Sequence, residues 1–270
     1  MNKYNVLIIG AGGQGSEADQ PGSGNEHKII SFAHAFKEHD GFETITFYDK
    51  NKLKSKKASE IWDCYYSECD INYICEYGDI DVAIITTPDN THYEILKQLA
   101  EYPLKLVICE KPICEDLEQA REIVELYKQK NIPLMINYTR RFLPYYDCLK
   151  RDTKPIDGLC IFNRGWLHTA THAIDFFNMI GLENYKIIES TITDKRVWEL
   201  YVEFEDPIGM RIGWIETRVG DMPVWNYYDK SHWYIVENAY NFLEGKEELK
   251  CTGEQALHAL EICFKLMKKE

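Results

Sequence analysis

Gly10-Ala11-Gly12-Gly13-Gln14-Gly15 fits the spacing G-x-G-x-x-G and follows an apolar run from Tyr4 to Ile9. Glycines in that pattern allow a tight turn after a strand and let the backbone approach a diphosphate, whose charge backbone N–H groups can hold. The chemistry implied is dinucleotide binding, with Gly10, Gly12 and Gly15 as the cradle. An acidic residue about 20 positions further on usually accepts hydrogen bonds from the adenosine ribose. Here the candidate, Asp49, lies much further along, at the end of a second strand-like run, Glu43 to Tyr48.

The excess length coincides with a stretch rich in Gly, Pro and Ser, Ser16 to Asn25, which reads as a loop inserted before the first helix. On that reading the helix begins near Asn25 or Glu26, with Asn25 as N-cap. Gly22 and Gly24 then compete with Gly15 for the place beside the phosphates. A carboxylate at position 49 favours NAD(H) over NADP(H), although Lys50 and Lys52 are close enough in sequence to serve a 2′-phosphate.

Two further segments follow strand-like runs directly. Thr86-Thr87-Pro88-Asp89-Asn90-Thr91-His92 stands at the end of the run Asp81 to Thr86, and Cys109-Glu110-Lys111-Pro112 ends the run from Leu104. In an open parallel sheet the carboxyl ends of strands are where ligands bind. Thr87, Pro88, Asn90, His92, Glu110 and Lys111 are therefore placed at the cofactor edge.

The elements that must position these residues alternate. Apolar runs at 4–9, 43–48, 81–86, 104–109 and 133–137 are separated by amphipathic stretches, including Ile29 to Phe36, His92 to Glu101 and Asp116 to Gln129. Strand–helix alternation specifies a parallel sheet with crossover helices. After Tyr138 the pattern changes. Arg140 to Pro144 connects, and a short helix is expected over Tyr145 to Lys150. Strand signals then appear at 159–162, 186–193, 197–204 and 210–217, interrupted by one helix over Thr171 to Ile180. The fold class is thus an α/β Rossmann domain, 1–138, followed by a smaller α+β domain with a mostly antiparallel sheet, 139–252. A last helix, 253–270, carries Ala256, Leu260, Cys263 and Phe264 on one stripe and is expected to pack back on the body.

Composition narrows the partners. A formal net charge of −13 repels phosphate backbones, which argues against nucleic acid. No run of apolar residues is long enough to span a membrane, and the N-terminus does not read as a signal peptide. Nine scattered cysteines point to free thiols in a reducing, cytoplasmic setting. Cys64, Cys69 and Cys75 lack the paired spacing of a zinc site, and no metal is expected.

Taken together, the glycine motif, Thr87-Pro88-x-x-x-His92, Glu110-Lys111-Pro112, Arg141-Phe142 and His172-x-x-Asp175 occur in the order seen in the Gfo/Idh/MocA oxidoreductases, and the chain resembles that family from Tyr4 to about Lys268. The resemblance implies an NAD(P)-dependent oxidoreductase acting on CH–OH groups of a sugar, cyclitol or nucleotide-sugar. It assigns Lys111 and His172 to proton transfer beside the nicotinamide. A lysine near a cationic ring is pushed toward a lower pKa by like charge and desolvation, and histidine exchanges protons near neutral pH. Arg141, His168, Thr169 and Asp175 become substrate contacts. The family pairs through the second-domain sheet, so a homodimer or homotetramer is expected, with the alternating residues from Trp198 to Trp214 as a candidate face.

The sequence departs from the family in three places. His168 stands where many members carry an aspartate, four residues before the histidine. Spacing of four on a helix puts His168 and His172 on one side, but with Asp175 they make a thin metal set. The second domain is short, and the loop before the first helix is inserted. Two alternatives stay open: a cofactor-binding regulatory protein, and a glycosidase that uses NAD transiently for oxidation and elimination.

Overall fold

The structure is a computed structural model that describes residues 2–144, 146, 158–162, 167, 170–179, 186–194, 197–203, 210–213, 218–219, 222–223 and 229–267, with backbone alone for the strands between 158 and 223. The chain divides into two compact units. The first comprises Met1–Phe142 and Tyr228–Glu254, the second Leu143–Tyr227 and Gln255–Glu270.

The first unit is built on a six-stranded parallel sheet: β1 (Tyr4–Ile9), β2 (Phe42–Tyr48), β3 (Tyr65–Tyr66), β4 (Val82–Ile85), β5 (Leu106–Glu110) and β6 (Leu134–Asn137), in spatial order β3-β2-β1-β4-β5-β6. This is the doubly wound dinucleotide-binding order, which reverses between β1 and β4. Helices cover both faces of such a sheet, so its central strands carry no polar alternation. Val6 to Ile8 and Val82 to Ile85 are all fully buried.

The crossover helices are α1 (Phe32–Glu38), α2 (Lys52–Trp62), α3 (Ile71–Tyr77), α4 (His92–Leu99) and α5 (Leu117–Lys130). Most begin at a side-chain cap: Ser31, Asn51, Asp70 and Asp116 each accept a backbone N–H from the first turn. Neither α2 nor α3 stood out in the sequence. The inward face of α2 is Ser55, Ala58 and Ser59, small residues that allow close approach without an apolar stripe, with Trp62 alone as a large apolar anchor at its end.

The stretch after the glycine turn differs from expectation. A single wide turn spans Gly13–Glu17, and α1 starts only at Phe32, with Ser31 rather than Asn25 as its cap. Residues between are fixed by hydrogen bonds. Ser16 donates to Ala11 O at 2.7 Å and accepts on its own carbonyl from Trp62 Nε1 at 3.1 Å. Asp19, 1% exposed, accepts from Ile30 N at 2.6 Å and Ser31 N at 3.1 Å, and its carboxylate lies 3.1 Å from His34 Nδ1. Ile29 N donates to Asp229 O, and His232 N donates to Ile29 O.

Those last two bonds tie the loop to α7 (Ser231–Leu243), a helix of the first unit that is not expected from the sequence and lies in the stretch assigned there to the α+β domain. Its buried face mixes Ser231, His232 and Asn238 with Ile235, Val236, Ala239 and Tyr240, which blurs its period. His232 meets Phe32 edge-on at 4.7 Å between ring centroids, and Tyr240 meets Phe42 at 6.1 Å. Burying large aromatics of this kind stabilises a fold by roughly 2–3 kcal/mol each. Beyond α7 the chain returns to the sheet: Ile136 N donates to Cys251 O, and Met135 bridges Thr252 along the outer side of β6.

In the second unit the helix α6 (Thr171–Met179) buries Ala173, Ile174, Asp175, Phe176 and Phe177. Phe176 packs edge-on against Tyr146 at 4.9 Å. Strands β7 (Gly158–Phe162), β8 (Lys186–Asp194), β9 (Val197–Glu203), β10 (Met210–Gly213), β11 (Arg218–Val219) and β12 (Met222–Pro223) lie in the order β12-β11-β10-β7-β9-β8. The last helix, α8 (Gly253–Met267), buries Ala256, Ala259, Leu260, Cys263 and Leu266, and all of it past Glu254 belongs to the second unit. The helix expected at 145–150 and the proposed interface residue Trp214 lie outside the described residues. Among the described residues no helix is long and apolar enough to cross a membrane.

Two tests address the inserted loop. Asp19→Ala strips the acceptor from two backbone N–H groups and should cost about 3 kcal/mol in urea unfolding, the scale of a buried charged acceptor. Burial pushes the His232 imidazole down to about 4, against the pull of nearby Asp19, so it is held neutral in the fold. A base whose folded pKa is depressed contributes stability above its ordinary 6.5 that is lost as pH falls toward 4. Unfolding curves of His232→Phe should therefore lose less stability than the wild type across that window.

Candidate dinucleotide site

The site begins where β1 ends. Gly10 has φ +102°, a conformation L side chains rarely adopt, and a Cβ on it would lie 2.8 Å from Thr86 Oγ1 and 2.9 Å from the Thr86 carbonyl carbon. Gly15 is tighter still: a Cβ there would sit 2.1 Å from Gly10 O. Thr86, at the end of β4, closes the contact by donating its hydroxyl to Gly10 O at 2.8 Å. The turn therefore folds back on itself at the point where strand order reverses. Gly15 is thus required by the packing of the turn itself, a constraint that Gly22 and Gly24 do not share. Those two have positive φ but nothing within 4 Å of an added Cβ.

Gly12 and Gly13 are different. Gly12 is extended (φ −97°, ψ −167°), a conformation open to any residue. A Cβ on Gly13 would meet nothing within 4 Å, and one on Gly12 would meet only the tips of Glu17 and Lys54. The turn thus presents bare backbone to open space, which fits the approach of a diphosphate.

Asp49 follows β2 and is bound to this turn. Its Oδ2 accepts from Ala11 N at 2.9 Å and its Oδ1 from Asn51 N at 2.8 Å. With Lys50, Asn51, Lys52, Leu53 and Lys54 it lines an open depression of about 660 Å³. A half-exposed carboxylate so oriented can still accept from ribose hydroxyls through its remaining lone pairs.

The Thr-Pro segment forms a short helical turn, Asp89–Thr91, leading into α4. Thr91 donates its hydroxyl toward Thr87 Oγ1 and Pro88 O, each at 2.7 Å, while Pro88 and Asn90 are exposed. His92 departs from its expected role as a cofactor contact. It is fully buried, with Nδ1 2.8 Å from Pro112 O and Nε2 3.0 Å from Thr87 O. It joins the two strand-end segments and positions them.

At the end of β5, Lys111 is 7% exposed and precedes a cis peptide to Pro112. Its neighbour Glu110 accepts from Asn137 Nδ2 at 2.6 Å. Burial raises the Glu110 carboxyl above its ordinary value, with the Asn137 amide and the Lys111 charge opposing. Burial also holds the Cys109 thiol well above its usual range, which leaves it unreactive. Arg141, 6% exposed, sits on the turn Thr139–Phe142 just beyond β6. The carboxyl edge thus brings together Gly10, Gly12, Gly15, Asp49, Thr87, Pro88, Asn90, Glu110, Lys111 and Arg141 within the first unit.

In the second unit His172 and Asp175 lie on α6 one turn apart, Asp175 being 1% exposed. Thr171 Oγ1 donates to Leu167 O at the start of that helix. His168 and Thr169 lie outside the described residues. Two participants escaped sequence reading: Asn137, a polar residue ending a buried strand, and Thr86, whose strand-end position was the signal.

With this geometry in place, comparison with known proteins is decisive for family. Residues 4–138, half of the chain, match the GFO_IDH_MocA family, described as "Oxidoreductase family, NAD-binding Rossmann fold". The chain belongs to the Gfo/Idh/MocA family. Among curated Gfo/Idh/MocA relatives, the rhizopine catabolism protein MocA of Rhizobium meliloti is 34% identical over 79 residues, 29% of this chain and 25% of that protein. An inositol 2-dehydrogenase of Rhizobium meliloti (strain 1021) is 32% identical over 74 residues, 27% of this chain and 22% of that protein. The matched stretch thus spans about a quarter of these relatives' length. Among solved structures, a dehydrogenase (MviM) from Clostridium difficile shares the fold over 99% of both chains, with TM-score 0.75 and 17% identity.

The contrast between glycines gives a paired test. Gly15→Ala should destabilise the protein by several kcal/mol in thermal or urea unfolding, because its Cβ meets the Gly10 carbonyl. Gly12→Asp should leave the melting temperature nearly unchanged yet abolish NADH binding in a fluorescence titration, because its carboxylate enters the diphosphate's space.

Proposed function

We propose that the chain is an NAD(P)-dependent oxidoreductase that moves a hydride to or from a CH–OH carbon of a sugar, cyclitol or nucleotide-sugar substrate. The observation that carries this reading is the buried Lys111 at the end of β5, on the sheet edge that also carries the open glycine turn. Inositol dehydrogenase among the relatives supports the polyol class.

In this reading Gly10, Gly12 and Gly15 shape the diphosphate cradle, Asp49 receives the ribose hydroxyls and favours NAD, and Thr87, Pro88, Asn90 and Glu110 border the nicotinamide end. The dinucleotide, when bound, supplies the hydride acceptor or donor. Lys111 Nζ holds or relays the substrate hydroxyl proton. Lys111 is buried at the end of β5, and the Glu110 carboxyl beside it in sequence is raised by burial, with the Lys111 charge opposing. His172 is the second proton-transfer group, oriented by Asp175 one turn further along α6. His92 sets the two loops. Arg141, His168 and Thr169 are proposed substrate contacts, with the α+β second unit as substrate domain and oligomer surface.

The test is Lys111→Met. A spectrophotometric screen of NADH and NADPH oxidation or formation over sugars, cyclitols and nucleotide-sugars should first find a substrate. In the variant, turnover should fall by roughly 10²-fold, the scale of an acid–base group, with cofactor affinity and melting temperature little changed. Near-normal turnover would remove Lys111 from the chemistry, and a wild type that binds neither cofactor would overturn the reading as a whole.

A further inference from the structure

In an ordinary dinucleotide fold the glycine turn runs directly into a helix, whose N-terminal amides meet the diphosphate. Here residues 18–31 intervene, and the short α1 already has an internal anion at its start: Asp19 accepts from Ile30 N and Ser31 N. The positive end of α1 is therefore compensated from within, and the diphosphate needs its counter-charge from another element.

Lys54 stands in place to supply it. Lys54 Nζ lies 3.9 Å, and Glu17 Oε2 3.7 Å, from where a Cβ on Gly12 would be. Both side chains thus converge on the glycine whose backbone is free to accept any residue. Among the described residues Lys54 makes no ion pair, whereas its neighbour Lys52 stands 3.8 Å from Glu68. The sequence context points the same way. α2 opens Lys52-Leu53-Lys54-Ser55-Lys56-Lys57 with no acidic residue in its first turn. Cations at a helix N-terminus oppose the macrodipole, and a bound anion beside Lys54 would relieve that.

Resting on the dinucleotide-binding reading above, we propose that Lys54 of α2 is the residue that binds the cofactor diphosphate, and that Glu17 opposes it and sets the affinity. Lys54 closes over the phosphates from the β2 side while the glycine turn offers its amides from below. Glu17, on the turn Gly13–Glu17, places a carboxylate at the same spot, so binding must overcome its repulsion. The diphosphate is common to NAD(H) and NADP(H), whereas a 2′-phosphate occurs only in NADP(H), and the two sources predict different results.

Fluorescence titrations with NADH and with NADPH on the full chain test this. Lys54→Met should weaken both ligands by the same factor, about tenfold, the scale of one charge-assisted contact at a partly solvated site. Lys54→Arg should restore most of the loss, and Glu17→Gln should tighten both ligands several-fold. Salt should weaken wild-type binding more steeply than that of Lys54→Met. Both substituted side chains are exposed, so melting temperatures should stay level. Weakening of NADPH alone would assign Lys54 to the 2′-phosphate and overturn the proposal, as would unchanged affinity in Lys54→Met or weaker binding in Glu17→Gln. If the wild type bound neither ligand, the failure would lie with the dinucleotide reading itself.

Discussion

The packing of Gly15 against the Gly10 carbonyl, with Thr86 closing the contact, is the constraint around which the first unit is arranged. It joins the ends of β1 and β4, the two strands between which sheet order reverses. Neither glycine can carry a side chain there, and Ala11 N of the same turn is held by Asp49. The long buried strands serve this point: they hold the strand ends level so that Asp49, Thr87, Lys111 and Arg141 share one edge. His92 adds a second tie between neighbouring loops, at the cost of a fully buried imidazole set between two carbonyls.

The inserted loop shows how an old cradle can be reached by a new path. Asp19 does for α1 what a bound anion does elsewhere, and the loop's other end is secured on α7 through residues 229 and 232. The N-terminal glycine motif and a helix more than two hundred residues later are thereby parts of one body. The segment that most disturbs the usual spacing is also one of the more firmly bonded.

Much of this was legible in the chain. Four of the longer strands of the parallel sheet announce themselves because burial on both faces demands nearly unbroken apolar runs, β2 does so by alternation, and α5 shows a clean stripe of Ala120, Ile123, Val124 and Tyr127 between an aspartate cap and a left-handed Asn131. Gly10, Asp49 and Lys111 were readable from type and position. α2 was not, since its buried face is serine and alanine with a single tryptophan at its end, and α7 was not, since histidine and asparagine interrupt its period. The start of α1 was misplaced by several residues because Asn25 looks like a cap, while the acceptor that organises the region, Asp19, sits far back in sequence and acts through tertiary hydrogen bonds. Asn137 escaped for the same reason: its partner Glu110 is close only through strand pairing.

The margins of the parallel sheet have a bearing on self-association. On one side β3 is only two residues long, Tyr65–Tyr66; on the other, β6 is already occupied by residues 251–252 of the same chain. Neither margin offers the row of vacant amides and carbonyls that templates growth of a sheet from molecule to molecule. The first unit is thereby protected against runaway strand addition, and any assembly it joins must be made by side-chain surfaces, which can be self-limiting, rather than by continuing its backbone ladder.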